Sequence, residues 1–353
     1  MNTLVRIQSR LRGLLQRNKI KLRSKNLPKK KEIDNSSTKN REIINDNQSN
    51  DSKGIKEEEL NEEEANGGNN IKNNEEDLNK NNDKITKEEI DNLFNKYPPI
   101  EDNVEVTLKP PKEIEEGKIY YGEWDNLTDK KHGRGIILYP DGTKYEGYLV
   151  NDKCNIKGKY TKNNEEYYEG EWKDDKMEGD GVLYDVNGYK YEGKFKNNKQ
   201  NGYGVETWTD GNKFEGNFED GVKKGNGKFS FNDGNYYDGY FENNNMNGKG
   251  TFIWKDGRKY EGDWVDNKME GQGIFQWPDG KVYKGSYKND KKCGHGYFEW
   301  TNGRKYSGEW ENGKQNGEGK FYNPKKQLWK TGIWENGKNI KWIDDNNEKL
   351  GGN

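Results

Sequence analysis

From Tyr120 onward, polar and apolar residues alternate with a period of two, broken at regular intervals by turn residues. In "KYEGDWVDNKMEGQGIFQWPDGK" (259–281), Tyr260, Gly262 and Trp264 share one strand face, and Glu261, Asp263 and Val265 the other. A turn of Asp, Asn and Lys follows. Gly271-x-Gly273 then opens a second strand, with Phe275 and Trp277 on its inner face. Asp279-Gly280 closes the phrase. Asp-Gly between alternating aromatics predicts a type I′ hairpin turn, which needs φ > 0 at both central residues.

The phrase recurs. Aligned on the Gly of Tyr-x-Gly, the chain has Gly122, Gly147, Gly170, Gly193, Gly216, Gly239, Gly262, Gly285 and Gly308, with a degenerate tenth at Gly332. The spacings are 25, then 23 seven times, then 24. A fixed period of this size means an array. Each unit is one β-hairpin that cannot bury its aromatic face alone. Stacked, nine of them form an all-β, elongated antiparallel ribbon, on the order of 85 Å long at two strands per unit. The inner glycines leave room for the next hairpin's ring to lie across the backbone.

Some units depart from the phrase. Ile156 stands for the first Gly before Gly158, Asn164-Glu165 for Asp-Gly, and Glu206 for the Phe at 229, 252, 275, 298 and 321. The ninth unit ends in "NPKKQLW", which predicts a terminal cap with Trp329, Trp334 and Trp342 covering the last edge.

Before the array, "ITKEEIDNLFNKYPP" (85–99) predicts a short helix. Thr86 and Glu89 make a capping box, Ile85 and Ile90 a hydrophobic staple, and Pro98-Pro99 a stop. Ile90, Leu93, Phe94 and Tyr97 fall on one face, as expected of a cap over the array's first edge. Residues 32–84 are Asn, Glu and Lys-rich and read as a disordered linker, because they bury too little apolar surface to offset backbone entropy. Residues 1–31 are basic and free of acids and predict an amphipathic helix; 338–353 read as a tail.

Composition agrees with thin packing. Hydrophobic residues make up only 27% of the 353, but aromatics reach 12% and Gly 44. The net charge of -2 argues against nucleic acid as a partner. Cys154 and Cys293 lie far apart, and no 18-residue apolar run occurs, which predicts a soluble cytoplasmic protein with reduced thiols. No nucleotide-binding loop, metal-ligand spacing or catalytic constellation is present, so neither enzyme activity nor a cofactor is expected. His132 and His295 read as turn residues.

Tyr-Glu-Gly-x-Trp, then Gly-x-Gly, then Asp-Gly, at a 23-residue period, resembles the MORN repeat over about 118–337. The resemblance implies a non-catalytic scaffold. Such arrays serve cytoskeletal, cortical or axonemal (ciliary) structures, link membranes, or accompany a catalytic domain, and some self-associate. "IQSRLRGLLQR" (7–17) resembles the IQ motif at Ile7, Gln8, Arg12, Gly13 and Arg17. That resemblance implies calmodulin or a related EF-hand protein as a partner. The same stretch also has the composition of a mitochondrial transit peptide, and of a helix lying on anionic lipid. Lys223, Lys224, Lys288, Lys291 and Lys292 are candidate contacts for anionic lipid head groups. Two further readings therefore stand beside a protein-assembly scaffold: a peripheral membrane scaffold, and an accessory subunit of a lipid kinase or methyltransferase.

Overall fold

The structure, a computed structural model, describes residues 85–162 and 166–343. The IQ-like residues Ile7, Gln8, Arg12, Gly13 and Arg17, the linker, and Asn164-Glu165 lie outside the described residues. The described part carries twenty-one strands in one sheet, numbered in chain order from β1 (Val106–Glu115) to β21 (Lys338–Ile343). Each strand pairs antiparallel with the next in the chain, as β14 (Lys259–Val265) does with β15 (Lys268–Gln276), and β15 with β16 (Val282–Lys288). The all-β hairpin ribbon read from the alternation is the fold. It extends past the repeats at both ends, with β1 ahead of them and β21 within the stretch read as a tail.

The register is set by glycine. Gly262 lies opposite Gly273, and Gly273 opposite Gly285, so one line of glycines crosses the sheet at right angles to the strands. Tyr260 lies over this line. A Cβ at Gly273 would sit 2.4 Å from the Tyr260 ring, closer than any side chain tolerates. The ring that needs the space therefore belongs to the unit itself, not to the next hairpin. It is held there because the Tyr260 hydroxyl donates to the Asp263 carbonyl at 3.0 Å. The following unit does reach the line in another way: Trp264 donates its Nε1–H to the carbonyl of Gly250, at 3.2 Å.

The two turns of each unit exchange the roles expected of them. Asp266 and Asn267 both have positive φ, 47° and 65°, and so do Asn289 and Asp290, at 48° and 66°. These Asn/Asp pairs fit the two-residue turn, as their short polar side chains tolerate the left-handed region. At Asp279-Gly280 only Gly280 has positive φ, 89°. There Gly280 N–H donates to Trp277 O, and Trp277 N–H to Lys281 O, both at 2.9 Å. This is a three-residue loop built on a type I turn, for which Pro278 supplies the φ of its first central position.

Asn and Asp also tie neighbouring turns together. Met269 N–H donates to Asp290 Oδ1, and Met246 N–H to Asn267 Oδ1, each at 2.8 Å. Glycine in those places would keep the turn but lose the link.

The core is a single layer of rings. Tyr120, Tyr145, Tyr168, Tyr191, Phe214, Tyr237, Tyr260, Tyr283 and Tyr306 form a buried column along the sheet. From Tyr168 onward each meets rings of its own unit and the next edge-on, as Tyr260 meets Trp264 at 5.2 Å and Tyr287 at 5.1 Å; at Tyr120 and Tyr145, Leu149 takes the place of one ring. Each such pair contributes about 0.5–1.5 kcal/mol beyond its buried area. With no second layer to supply aliphatics, rings do most of the burying.

At the N-terminal side, α1 (Lys87–Lys96) has the expected capping box, Thr86 Oγ1 accepting from Glu89 N–H at 3.2 Å and Glu89 Oε2 from Thr86 N–H at 2.8 Å. It does not cap the edge, which is occupied by β1. The helix lies on the sheet face instead. Leu93 and Tyr97 pack on Ile136 of β3 (Lys131–Leu138) and Tyr148 of β4 (Lys144–Val150), with Ile85, Phe94 and Ile100 alongside. Lys144 meets Glu89 at 2.8 Å, and Lys96 meets Glu169 at 3.1 Å. At the other end Trp334 is buried, but Trp329 and Trp342 are 38% and 44% exposed, so those two do not seal the last edge.

Candidate functional site

The sheet gives each repeat position a fixed environment, and departures from the phrase mark the places to inspect. Glu206 of β9 (Lys199–Thr207) takes the place that Phe275 and Phe298 fill elsewhere, yet it is as buried as they are. Its carboxylate is ion-paired with Lys223 of β11 (Val222–Ser230), and both side chains are 0% exposed. Tyr189 donates its hydroxyl to Glu206 Oε1 at 2.6 Å, and Gln200 Nε2 donates to the same oxygen at 3.1 Å. The Lys223 ammonium also lies 5.1 Å from the Trp208 ring and 4.9 Å from that of Phe214. A charge so enclosed survives only when paired and hydrogen-bonded, and this one is both.

This geometry corrects the reading of the lysines as lipid contacts. Lys223 is enclosed in the core and cannot meet a head group. Lys292 of β17 (Lys291–Glu299) also turns inward, with its Nζ 4.8–4.9 Å from the rings of Trp277, Tyr283, Phe298 and Trp310. The strand period explains both: these lysines alternate with Lys224 and Lys291, which point the other way. Lys224 pairs with Glu219 at 2.5 Å, whereas Lys288 and Lys291 are exposed and opposite each other at a hairpin end.

The histidines are strand residues, not turn residues. His132 is buried in β3, with Nε2 2.8 Å from Asp102 Oδ2, and His295 is exposed in β17. Cys154 and Cys293 are free thiols, and burial pushes both above the usual range. Among the described residues, no group of three or more His, Cys, Asp or Glu is placed to hold a metal ion, and no helix is long and apolar enough to cross a membrane.

The outward charges are paired along the strands: Lys190 with Glu192 at 2.8 Å, Lys213 with Glu215 at 2.7 Å, and Lys259 with Glu261 at 2.8 Å. A shallow hollow of about 200 Å³ lies by the last strands, lined by Phe321, Leu328, Lys330 and Trp342 among others. A second, more open one lies beside Ile156 and Trp172. The repeat residues singled out in the sequence, Tyr260, Gly262, Trp264, Gly271, Gly273, Asp279 and Gly280, all hold the hairpins together. Gly271, at φ 63°, occupies the bulge between the Gly262–Gly273 and Asp263–Glu270 pairs. The buried Glu206–Lys223 pair was not foreseen as a pair, although the lone acidic residue in a column of Phe was its visible signal.

An open meander of near-identical hairpins, with its chemistry spent on its own packing, defines a repeat scaffold. A family profile for the MORN repeat matches residues 120–144, 168–188, 191–213, 214–236, 237–257, 260–282, 283–303 and 306–326. The chain belongs to the MORN-repeat family, whose members are generally non-catalytic. The unmatched stretch falls on the hairpin of Gly147, the unit that carries Ile156, which the structure still forms from β4 and β5 (Lys153–Lys162).

No curated protein matches the chain. Solved structures that resemble it include the SAS-4 (dCPAP) TCP domain of Drosophila melanogaster, in complex with a proline-rich motif of Ana2 (dSTIL). It is 15% identical, over 52% of this chain and 97% of that one, with a TM-score of 0.30. The TCP10 domain of Danio rerio CPAP is 11% identical, over 58% and 94%, with a TM-score of 0.21. Likenesses this low carry no argument about this chain.

Proposed function

We propose that this protein is a non-catalytic scaffold for protein–protein assembly in a cytoskeletal, cortical or axonemal setting in the cytoplasm, and that its N-terminal IQ-like segment recruits calmodulin or a related EF-hand protein. The observation that carries the scaffold reading is the continuous register of the sheet. Each hairpin buries its rings on its neighbours, which leaves a long polar face for docking other proteins or a second copy. The calmodulin reading is supported by the sequence of residues 7–17, in which five motif positions match and Arg6, Arg10, Arg12 and Arg17 supply a cationic rim for an acidic partner.

Titration of the full chain with calmodulin, with and without calcium, tests it. Sub-micromolar binding that is lost in an Ile7→Ala/Gln8→Ala variant is the expected result. Absence of binding in both conditions would sink the calmodulin reading and leave the scaffold reading standing.

A peripheral membrane scaffold is the second reading, favoured by one observation: Lys288 and Lys291 stand exposed and opposite each other. Its test is flotation with phosphoinositide-containing liposomes, in which a Lys288→Ala/Lys291→Ala variant should lose binding while calmodulin capture is unchanged.

A further inference from the structure

Lys223 and Lys292 occupy the same place in the repeat, three units apart. Each extends into a box of rings, and the box around Lys292 is the more complete, with four centroids at 4.8–4.9 Å. They differ in the counter-ion. Lys223 has Glu206, whereas at the equivalent position of the Lys292 box stands Phe275. Among the described residues the Lys292 ammonium has neither an ion pair nor a hydrogen bond, and four ring faces surround it. It also differs in access, since Lys223 is sealed and Lys292 only half-buried.

We propose that Lys292 is a carbonyl-reactive amine, the position at which small neutral aldehydes condense with this chain in preference to its surface lysines. The neutral amine's lone pair attacks the carbonyl carbon, and the C=O π pair moves to oxygen, which takes up the proton that nitrogen gives away. The resulting carbinolamine loses water to form the C=N bond. One water is released and nothing is oxidised or reduced. A protonated imine carries the same charge as the ammonium it replaces, so the ring faces hold reactant and product cation alike.

Burial without a counter-ion favours the free base and brings the Lys292 ammonium down to about 8. At pH 7.5 roughly a quarter of it is then neutral, against about a thousandth of an ordinary lysine. The lower basicity and narrower access take back part of that roughly 200-fold advantage, leaving a preference on the order of tenfold. Tyr283 and Tyr287 are the titratable groups facing the amine. Burial raises both phenols, so neither ionises in the range where Lys292 titrates. Lys291, next in the strand and exposed, is the natural comparator, and Lys223 the enclosed, ion-paired one.

The test treats the full chain with limiting formaldehyde at pH 7.5, traps imines with cyanoborohydride, and maps methylated lysines by peptide mass spectrometry. Lys292 is expected to be labelled about tenfold faster than Lys291, with a rate that levels off above pH 8, and Lys223 to stay unlabelled. A Phe275→Glu variant sets beside Lys292 the carboxylate that Glu206 gives Lys223, and should abolish the preference. Equal labelling of Lys292 and Lys291 in the unaltered chain would overturn the proposal, and so would a preference that persists in Phe275→Glu.

Discussion

Replacing Glu206 by the Phe that most units carry should be harmful, although it makes the repeat more regular. Glu206 and Lys223 are both fully buried, and Glu206 also accepts from Tyr189 and Gln200. Glu206→Phe strands the Lys223 ammonium in a box of rings, and breaking one partner of a buried pair costs about 3–5 kcal/mol. Lys223→Met leaves the carboxylate with two neutral donors and should cost about 3 kcal/mol, toward the lower end of that range. The double variant removes both charges and installs residues that the same columns already hold, Phe at 275 and Met at 246 and 269. Replacing a whole buried pair by apolar residues of similar volume ranges from neutral to a gain of about 1–4 kcal/mol. The double variant should therefore fall within about 1 kcal/mol of the parent, or above it. Because a repeat array opens locally, the assay is native-state hydrogen exchange at the amides of β9, β10 (Lys213–Glu219) and β11, backed by urea melts. A cost under about 1 kcal/mol for Glu206→Phe, or a double variant as damaged as the sum of the singles, would refute the reasoning.

Gly273→Ala should destabilise by about 3 kcal/mol or more, because its Cβ meets the Tyr260 ring; Gly280→Ala, whose Cβ would only touch Thr301 at 3.9 Å but at positive φ, should cost only about 1 kcal/mol. Thermal melts that rank the two the other way would contradict the glycine line. Ile156 holds φ 60°, where neighbouring units have Gly, so Ile156→Gly should stabilise by about 1 kcal/mol, read as a rise in melting temperature. Tyr287→Phe removes a buried hydroxyl that has no hydrogen-bond partner among the described residues and should raise stability by about 1 kcal/mol in the same melts. Lys292 is depressed to about 8 in the fold, so the unfolded chain binds more protons between pH 8 and 10.5. The cost of burying the ammonium is complete below pH 8 and shrinks as pH rises. Between pH 7 and 9.5 the parent should gain about 2 kcal/mol relative to Lys292→Met, and a flat difference in urea melts would rule this out.

The hairpins and their aromatic inner face were legible because a two-residue period and a 23-residue repeat are local properties of the chain. The capping box of α1 was legible for the same reason, since Thr86 and Glu89 are three residues apart. What was misread depended on contacts between distant residues. Asp-Gly signals a type I′ turn by itself, but the flanking strands pair so that a third residue enters the loop. The lysines at 223 and 292 occupy the inward position that Met246 and Met269 hold in other units, but their charge and their lysine neighbours read as surface; which rings and anions they meet there depends on distant strands.

By itself the sequence determined a ribbon of hairpins, the family, and the absence of a recognisable catalytic motif, since alternation and period are enough to specify which residues face inward. Only the tertiary structure decided that Glu206 finds Lys223, that Lys292 finds no anion among the described residues, and that α1 lies on the sheet face instead of its edge. A buried charge is settled by which side chains the neighbouring strands bring within a few ångströms, and no single repeat contains that information.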